Sequence, residues 1–182
     1  MRSATILFVL VVLIQSPAMA EVADSAAGGF TIKTAVSLKA APTDVYRKLL
    51  KVGDWWSSDH TYSGDSHNLT IEERPGGCWC EKMPGSGGVK HMEVVLLLPG
   101  QMLRLSGGLG PLQEMAIAGS MTFNLSADGS GTKLEFTYAV GGYSPQGLAG
   151  IAAPVDQVLM EQIARLKNYV DTGNPAPRSE KK

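Results

Sequence analysis

The sequence predicts an α+β domain in which one long amphipathic helix covers an antiparallel sheet. Three observations carry this reading. "SMTFNLS" and "TKLEFTYAV" alternate apolar and polar residues, the pattern of strands buried on one face. "APVDQVLMEQIARLKNYVDTG" carries an apolar stripe at helical spacing. The order along the chain is a strand, two short helices, about six further strands and the long helix, so sheet and helix bury each other's apolar faces.

The N-terminus begins with Arg2, runs apolar from Ile6 to Ile14 and then shows Ala18-Met19-Ala20, a small-x-small cleavage pattern. Residues 1–20 are therefore expected to be a secretory signal, since the apolar run is about half of what a membrane span needs. The mature chain is expected in the bacterial periplasm or secreted, with no stable membrane anchor after cleavage. Residues 21–29 read as a flexible leader of small residues, 30–172 as the domain, and 173–182 as a disordered polar tail. The formal charge of −1 becomes −2 without Arg2, and basic residues form no run before the tail. Nucleic acid is therefore not an expected partner.

"FTIKTAVSLKA" (30–40) reads as the first strand, and "APTDVYRKLLK" as a helix with Pro42 at its start and Val45, Tyr46, Leu49 and Leu50 on one face. Gly53 is expected to end it, and "DWWSSDH" to form a second short turn. "NLTIEER", "CWCEKM", "VKHMEVVLLL" and "QMLRLSG" follow as strands separated by Pro/Gly-rich turns. Leu134, Phe136, Tyr138 and Val140 share the buried face of the last strand. The final helix is expected to run about 18 residues from Pro154 to a stop at Gly173, roughly 27 Å at 1.5 Å per residue.

Several of these segments resemble the START-like, or SRPBCC, superfamily: "DWWSSDHTYSG", "RPGGCWCE", "VKHMEVVLLLPGQMLRLSGGLGPLQ" and "GTKLEFTYAVGGY". They look like an exported branch near the polyketide-cyclase and heat-shock-ATPase-activator homologues. The matching positions are Gly76, Gly77, Trp79 and Glu81, then Pro99-Gly100 and Leu103. The resemblance covers roughly residues 30 to 172. It implies a helix-grip fold, in which a curved antiparallel sheet of about seven strands wraps the C-terminal helix around an apolar cavity. It also implies that the aromatic at Trp79 faces that cavity.

"RPGGCWCEKMPGSGGVKHMEVV" (74–95) holds both cysteines and His91. With "PGSGG" as the loop and Met83 opposite Val89, Glu81 faces His91 and Trp79 faces Glu93. Trp79, Glu81, His91 and Glu93 would then share one face, and Cys78, Cys80, Met92, Val94 and Leu96 the other. A slip of one residue would place His91 opposite Cys80. Three readings stay open. A Cys78–Cys80 disulfide needs a bulge, because residues two apart in a strand lie roughly 6.6 Å apart. Soft metal ligation by the cysteines with His91, and His60 or His67, lacks the usual spacing, and no metal or cofactor is expected. A pocket with Glu81 and His91 as its polar groups fits a small-molecule site.

Of Trp55 and Trp56, one is expected to pack under the sheet and the other to line the cavity mouth. The resemblance implies that the loop carrying His60 and His67 can lie over that mouth, the alternative being two solvated loop histidines. "GGLGPLQ" (107–113) lacks the phosphate-loop pattern and is read as a strand break. The expected function is an exported protein holding a small hydrophobic or lipid-like molecule. Its binding residues would be Trp56, His60, Trp79, Glu81, His91, Phe136, Tyr138 and Leu159. The alternative is an enzyme of cyclase or hydrolase type using Glu81 and His91 as acid and base. A chaperone-activator role, implied by the resemblance, conflicts with an export signal. No pattern here speaks to oligomeric state.

Overall fold

Among the described residues eight strands form one sheet, and every neighbouring pair in it is antiparallel. The computed structural model describes residues 21–176, so residues 1–20, read above as a secretory signal, and residues 177–182 of the expected tail lie outside the described residues. The strands are β1 (Glu21–Ala26), β2 (Gly29–Leu38), β3 (Leu69–Ile71), β4 (Cys78–Lys82), β5 (Gly88–Leu98), β6 (Met102–Ser106), β7 (Ile117–Asp128) and β8 (Gly131–Gly142). Their spatial order is β1-β2-β8-β7-β6-β5-β4-β3. Two short helices, α1 (Pro42–Leu50) and α2 (Val52–Trp55), carry the chain from β2 toward the opposite edge of the sheet. Helix α3 (Ala149–Thr172) closes the fold. The class is α+β, as expected, with one strand more than the reading of about seven.

The extra strand is β1, within the segment read as a flexible leader. It pairs with β2 from Glu21↔Lys33 to Ala26↔Gly29. Its residues, "EVADSA", show little apolar alternation because its role is to satisfy the backbone groups along the edge of β2. Backbone pairing leaves no mark in side-chain pattern.

The strand faces follow alternation where the sheet is regular. Met121, Phe123 and Leu125 of β7 and Leu134, Phe136, Tyr138 and Val140 of β8 are all buried, and the Phe123 and Phe136 rings meet at 5.0 Å. Against them α3 places Leu159, Ile163, Leu166 and Val170. Each such side chain contributes about 1.5–3 kcal/mol by leaving water. Helix α1 adds Val45, Tyr46 and Leu49 to the same core.

Two helix boundaries differ from the sequence reading. Helix α3 starts five residues before Pro154, at Ala149, and runs 24 residues to the left-handed Gly173 (φ 81°). Proline lacks the N–H that would bond the carbonyl four residues back. Here that loss falls in the second turn, while buried Leu148 and Ala152 anchor the first. Gly53 lies inside α2, and Lys51 separates the two short helices.

Candidate functional site

The β4–β5 hairpin is tighter than expected, and its register changes partway. Beyond Lys82↔Gly88, the Met83 amide bonds the Gly87 carbonyl, so the loop is three residues long. Glu81 therefore pairs with Val89 and Cys80 with Lys90. One step further Trp79 pairs with Met92 and Cys78 with Glu93. His91 is the extra residue of a β-bulge. A bulge lets consecutive residues face the same side, and His91 and Met92 are both buried, 5% and 1% exposed.

This corrects part of the predicted faces. Trp79 and Glu81 do point inward with His91, while Cys78 and Cys80 lie half-buried on the outer side. Met92 and Val94, expected beside the cysteines, are buried in the core instead. A second register break between Val94 and Leu96 turns β5 again, leaving Leu96 opposite Arg104. Cys78 and Cys80 form a disulfide with their Cα atoms 5.3 Å apart. That removes both the reading of them as free core thiols and the one in which they share a metal with His91.

Glu81 and His91 form a buried pair, with Nε2 of His91 2.9 Å from Oε2 of Glu81. The other Glu81 oxygen accepts the Ser63 amide. Burial pushes the Glu81 carboxyl up, but hydrogen bonds from Ser63, His91 and the Tyr62 amide outweigh it and hold it below the usual carboxylate range. An ionised Glu81 requires a proton on His91 Nε2. In the neutral imidazole Nδ1 is then the acceptor. That Nδ1 is buried and has no hydrogen-bond partner in the protein. The Tyr62 ring, 42% exposed, stacks on the imidazole at 5.9 Å and 18°.

The His91 and Trp79 rings border a cavity of about 350 Å³ between the β4–β5 hairpin and the first half of α3. Pro154, Val155, Val158 and Leu159 supply the helix side. Trp56, Asp59, His60, Thr61 and Tyr62 supply the loop side, and Leu109 to Leu112 a third wall. The Trp56 and Trp79 rings meet edge to face at 5.1 Å and 87°. No lysine or arginine lines the cavity among the described residues.

The loop wall is held from α3. Buried Gln162 accepts the Ser57 amide through Oε1 (2.8 Å), and its Nε2 lies 3.1 Å from His60 Nδ1. Arg165 Nε donates to the Trp55 carbonyl (2.9 Å), and Trp56 Nε1 to the His60 carbonyl (3.0 Å). Neighbouring tryptophans diverge as expected: Trp55 goes into the core and Trp56 onto the cavity.

Of the predicted binding residues, Trp56, His60, Trp79, His91 and Leu159 line this cavity. Glu81, Phe136 and Tyr138 do not. Glu81 stands behind His91. Phe136 is filled over by core packing. The Tyr138 hydroxyl is spent inside, donating to the Gly107 carbonyl and accepting from the Leu109 amide, both at 3.2 Å. Its burial pushes the phenol up to about 12. Those bonds hold the "GGLGPLQ" loop, read only as a strand break, in place as a cavity wall. Leu109, Pro111 and Leu112 were its apolar signal. Gln162 carried none, because a glutamine on a helix stripe reads as solvent-facing.

No protein-family model and no curated protein matches the chain. Solved structures do. The Aha1 dimer from Colwellia psychrerythraea aligns over 79% of this chain and 97% of its own, at 19% identity and a TM-score of 0.56. EF2215 from Enterococcus faecalis, a conserved protein of unknown function, aligns over 91% and 83% at 16% identity and 0.56. CalU16 from Micromonospora echinospora aligns over 82% and 78% at 16% identity and 0.55. Its antiparallel sheet, its two short helices after the second strand and its long C-terminal helix give the chain the fold of these structures, the helix-grip arrangement expected above.

Proposed function

We propose that this protein is an exported binding protein. It holds a neutral, mostly apolar molecule that carries a hydroxyl group in the cavity between the hairpin and α3. The observation that carries the reading is the His91 imidazole at the wall of an otherwise largely apolar cavity. Its orientation is held by Glu81, and its Nδ1 has no partner. A buried acceptor without a partner is costly, and a ligand hydroxyl repays that cost. An anionic ligand is disfavoured, because Asp59 and the ionised Glu81 stand nearby and no lysine or arginine among the described residues lines the wall. The signal-like N-terminus supports export.

Native mass spectrometry of the mature protein, taken from its own exported compartment, tests this. A discrete organic mass lost on denaturation is the expected result. A bare chain that also fails to take up any neutral apolar alcohol or phenol sinks the reading.

The same pair supports a second reading, an enzyme of cyclase or hydrolase type. A neutral imidazole oriented by a carboxylate is suited to taking a proton at Nδ1, with Glu81 stabilising the imidazolium. Glu81 then acts through His91 and not on the substrate. Turnover that disappears in Glu81→Gln while binding changes little favours the enzyme.

A further inference from the structure

We infer that the Cys78–Cys80 disulfide positions the binding site. By contracting β4 it sustains the bulge that keeps His91 on the inner face beside Glu81. The two Cα atoms are 5.3 Å apart, whereas residues two apart in an extended strand span roughly 6.6 Å. A strand so contracted cannot keep a continuous ladder with an extended neighbour. The ladder breaks at the step bracketed by the bridge, between Trp79 and Cys80, and resumes out of step with His91 unpaired.

The bulge reconciles two demands on β5. On the core side, Met92 and Val94 are buried, and Val94 is pinned by hydrogen bonds with Gly76 and Gly77. On the hairpin side, His91 must point inward to meet Glu81. Without a bulge the strand's strict alternation satisfies only one of these. If the pairing of Trp79 with Met92 continued unbroken, Cys80 would face His91, and the imidazole would turn to the outer surface. The opposite choice would expose Met92 in place of His91. Burying two large apolar side chains outweighs keeping one imidazole, so the hairpin end is the half that gives way. The cysteines never touch the cavity, yet they decide whether its polar group is there.

The test reads His91 directly, so its result does not depend on whether any ligand is known. Histidine carbethoxylation by diethyl pyrocarbonate is followed by mass spectrometry in the oxidised protein, in the phosphine-reduced protein and in Cys78→Ser/Cys80→Ser. His67, 78% exposed, and His60, 32% exposed, are internal references. In the oxidised protein His91 is expected to react far more slowly than His67. On reduction or in the double variant it is expected to speed up by roughly tenfold or more, with tryptophan emission and the His67 rate unchanged. Equal protection of His91 with and without the bridge overturns the inference. So does collapse of the whole fold on reduction, seen as red-shifted tryptophan emission and one common rate for all three histidines. The bridge would then hold the domain and not the site.

Discussion

The carboxylate of Glu81 stands directly behind the imidazole of His91, 2.9 Å from Nε2, with both side chains almost wholly out of water. The two residues belong to adjacent strands but are not partners in the ladder. The bulge at His91 brings them together. A carboxylate in this position leaves the imidazole one free nitrogen and a fixed tautomer.

Acid should expose the worth of this pair. The Glu81 carboxyl is held below its ordinary value of 4.5, because Ser63, His91 and the Tyr62 amide outweigh the burial that raises it. A depressed carboxyl adds stability that is complete above its ordinary value and lost as pH falls toward the folded one. Urea midpoints of the wild type should therefore be level above about pH 5 and fall below it. Glu81→Gln should lose about 1–3 kcal/mol at neutral pH and show a smaller acid decline. An equal acid decline in both proteins would place the titration elsewhere.

Ligand choice should follow His91. Displacement of Nile red from the wild type should favour para-hexylphenol over para-hexylbenzoate by roughly tenfold or more, since the phenol supplies a donor and the benzoate a buried charge. In His91→Leu the phenol should lose its advantage over hexylbenzene. That variant also leaves Glu81 short of a partner, so about 3 kcal/mol of stability should go with it.

Filling the cavity should separate binding from folding. Val158 faces the cavity from α3 and is only partly buried. Val158→Phe should abolish Nile red binding while leaving unfolding free energy unchanged or raised by about 0.5–2 kcal/mol, as cavity filling commonly does. Retained binding with full occupancy would put the ligand elsewhere.

Tyr62 covers His91 yet remains 42% exposed. Tyr62→Ala should cost less than about 1 kcal/mol of stability. Stopped-flow binding should show faster association and faster release, because a loop side chain over the polar group gates access to it. Unchanged rates would make the ring a passive wall.

The buried faces of β7 and β8, the stripe of α3 and the start of α1 were legible from the chain because side-chain alternation and helical spacing report burial directly. Leu159 belongs to that stripe, whereas the inward direction of Trp79 came from the family resemblance and that of Trp56 from the divergence of two adjacent tryptophans. β1 was not legible, since an edge strand made by backbone pairing needs no apolar signature. Nor was the early start of α3, where a proline late in the first turns reads as a beginning. Gln162 and the 109–112 wall become visible only once distant segments meet.

By itself the sequence determined which residues must leave water, and therefore the α+β class and the helix that covers the sheet. It also placed Glu81, Trp79 and His91 on one hairpin. Only the tertiary structure decided that Glu81 lies behind His91, that Tyr138 is consumed in holding a loop, and that Met92 joins His91 on the inner face. The reason is physical. Hydropathy patterns repeat every two or every 3.6 residues and are robust to context. A bulge shifts that pattern by a single residue, and whether one forms depends on backbone hydrogen bonds and a disulfide that composition does not reveal.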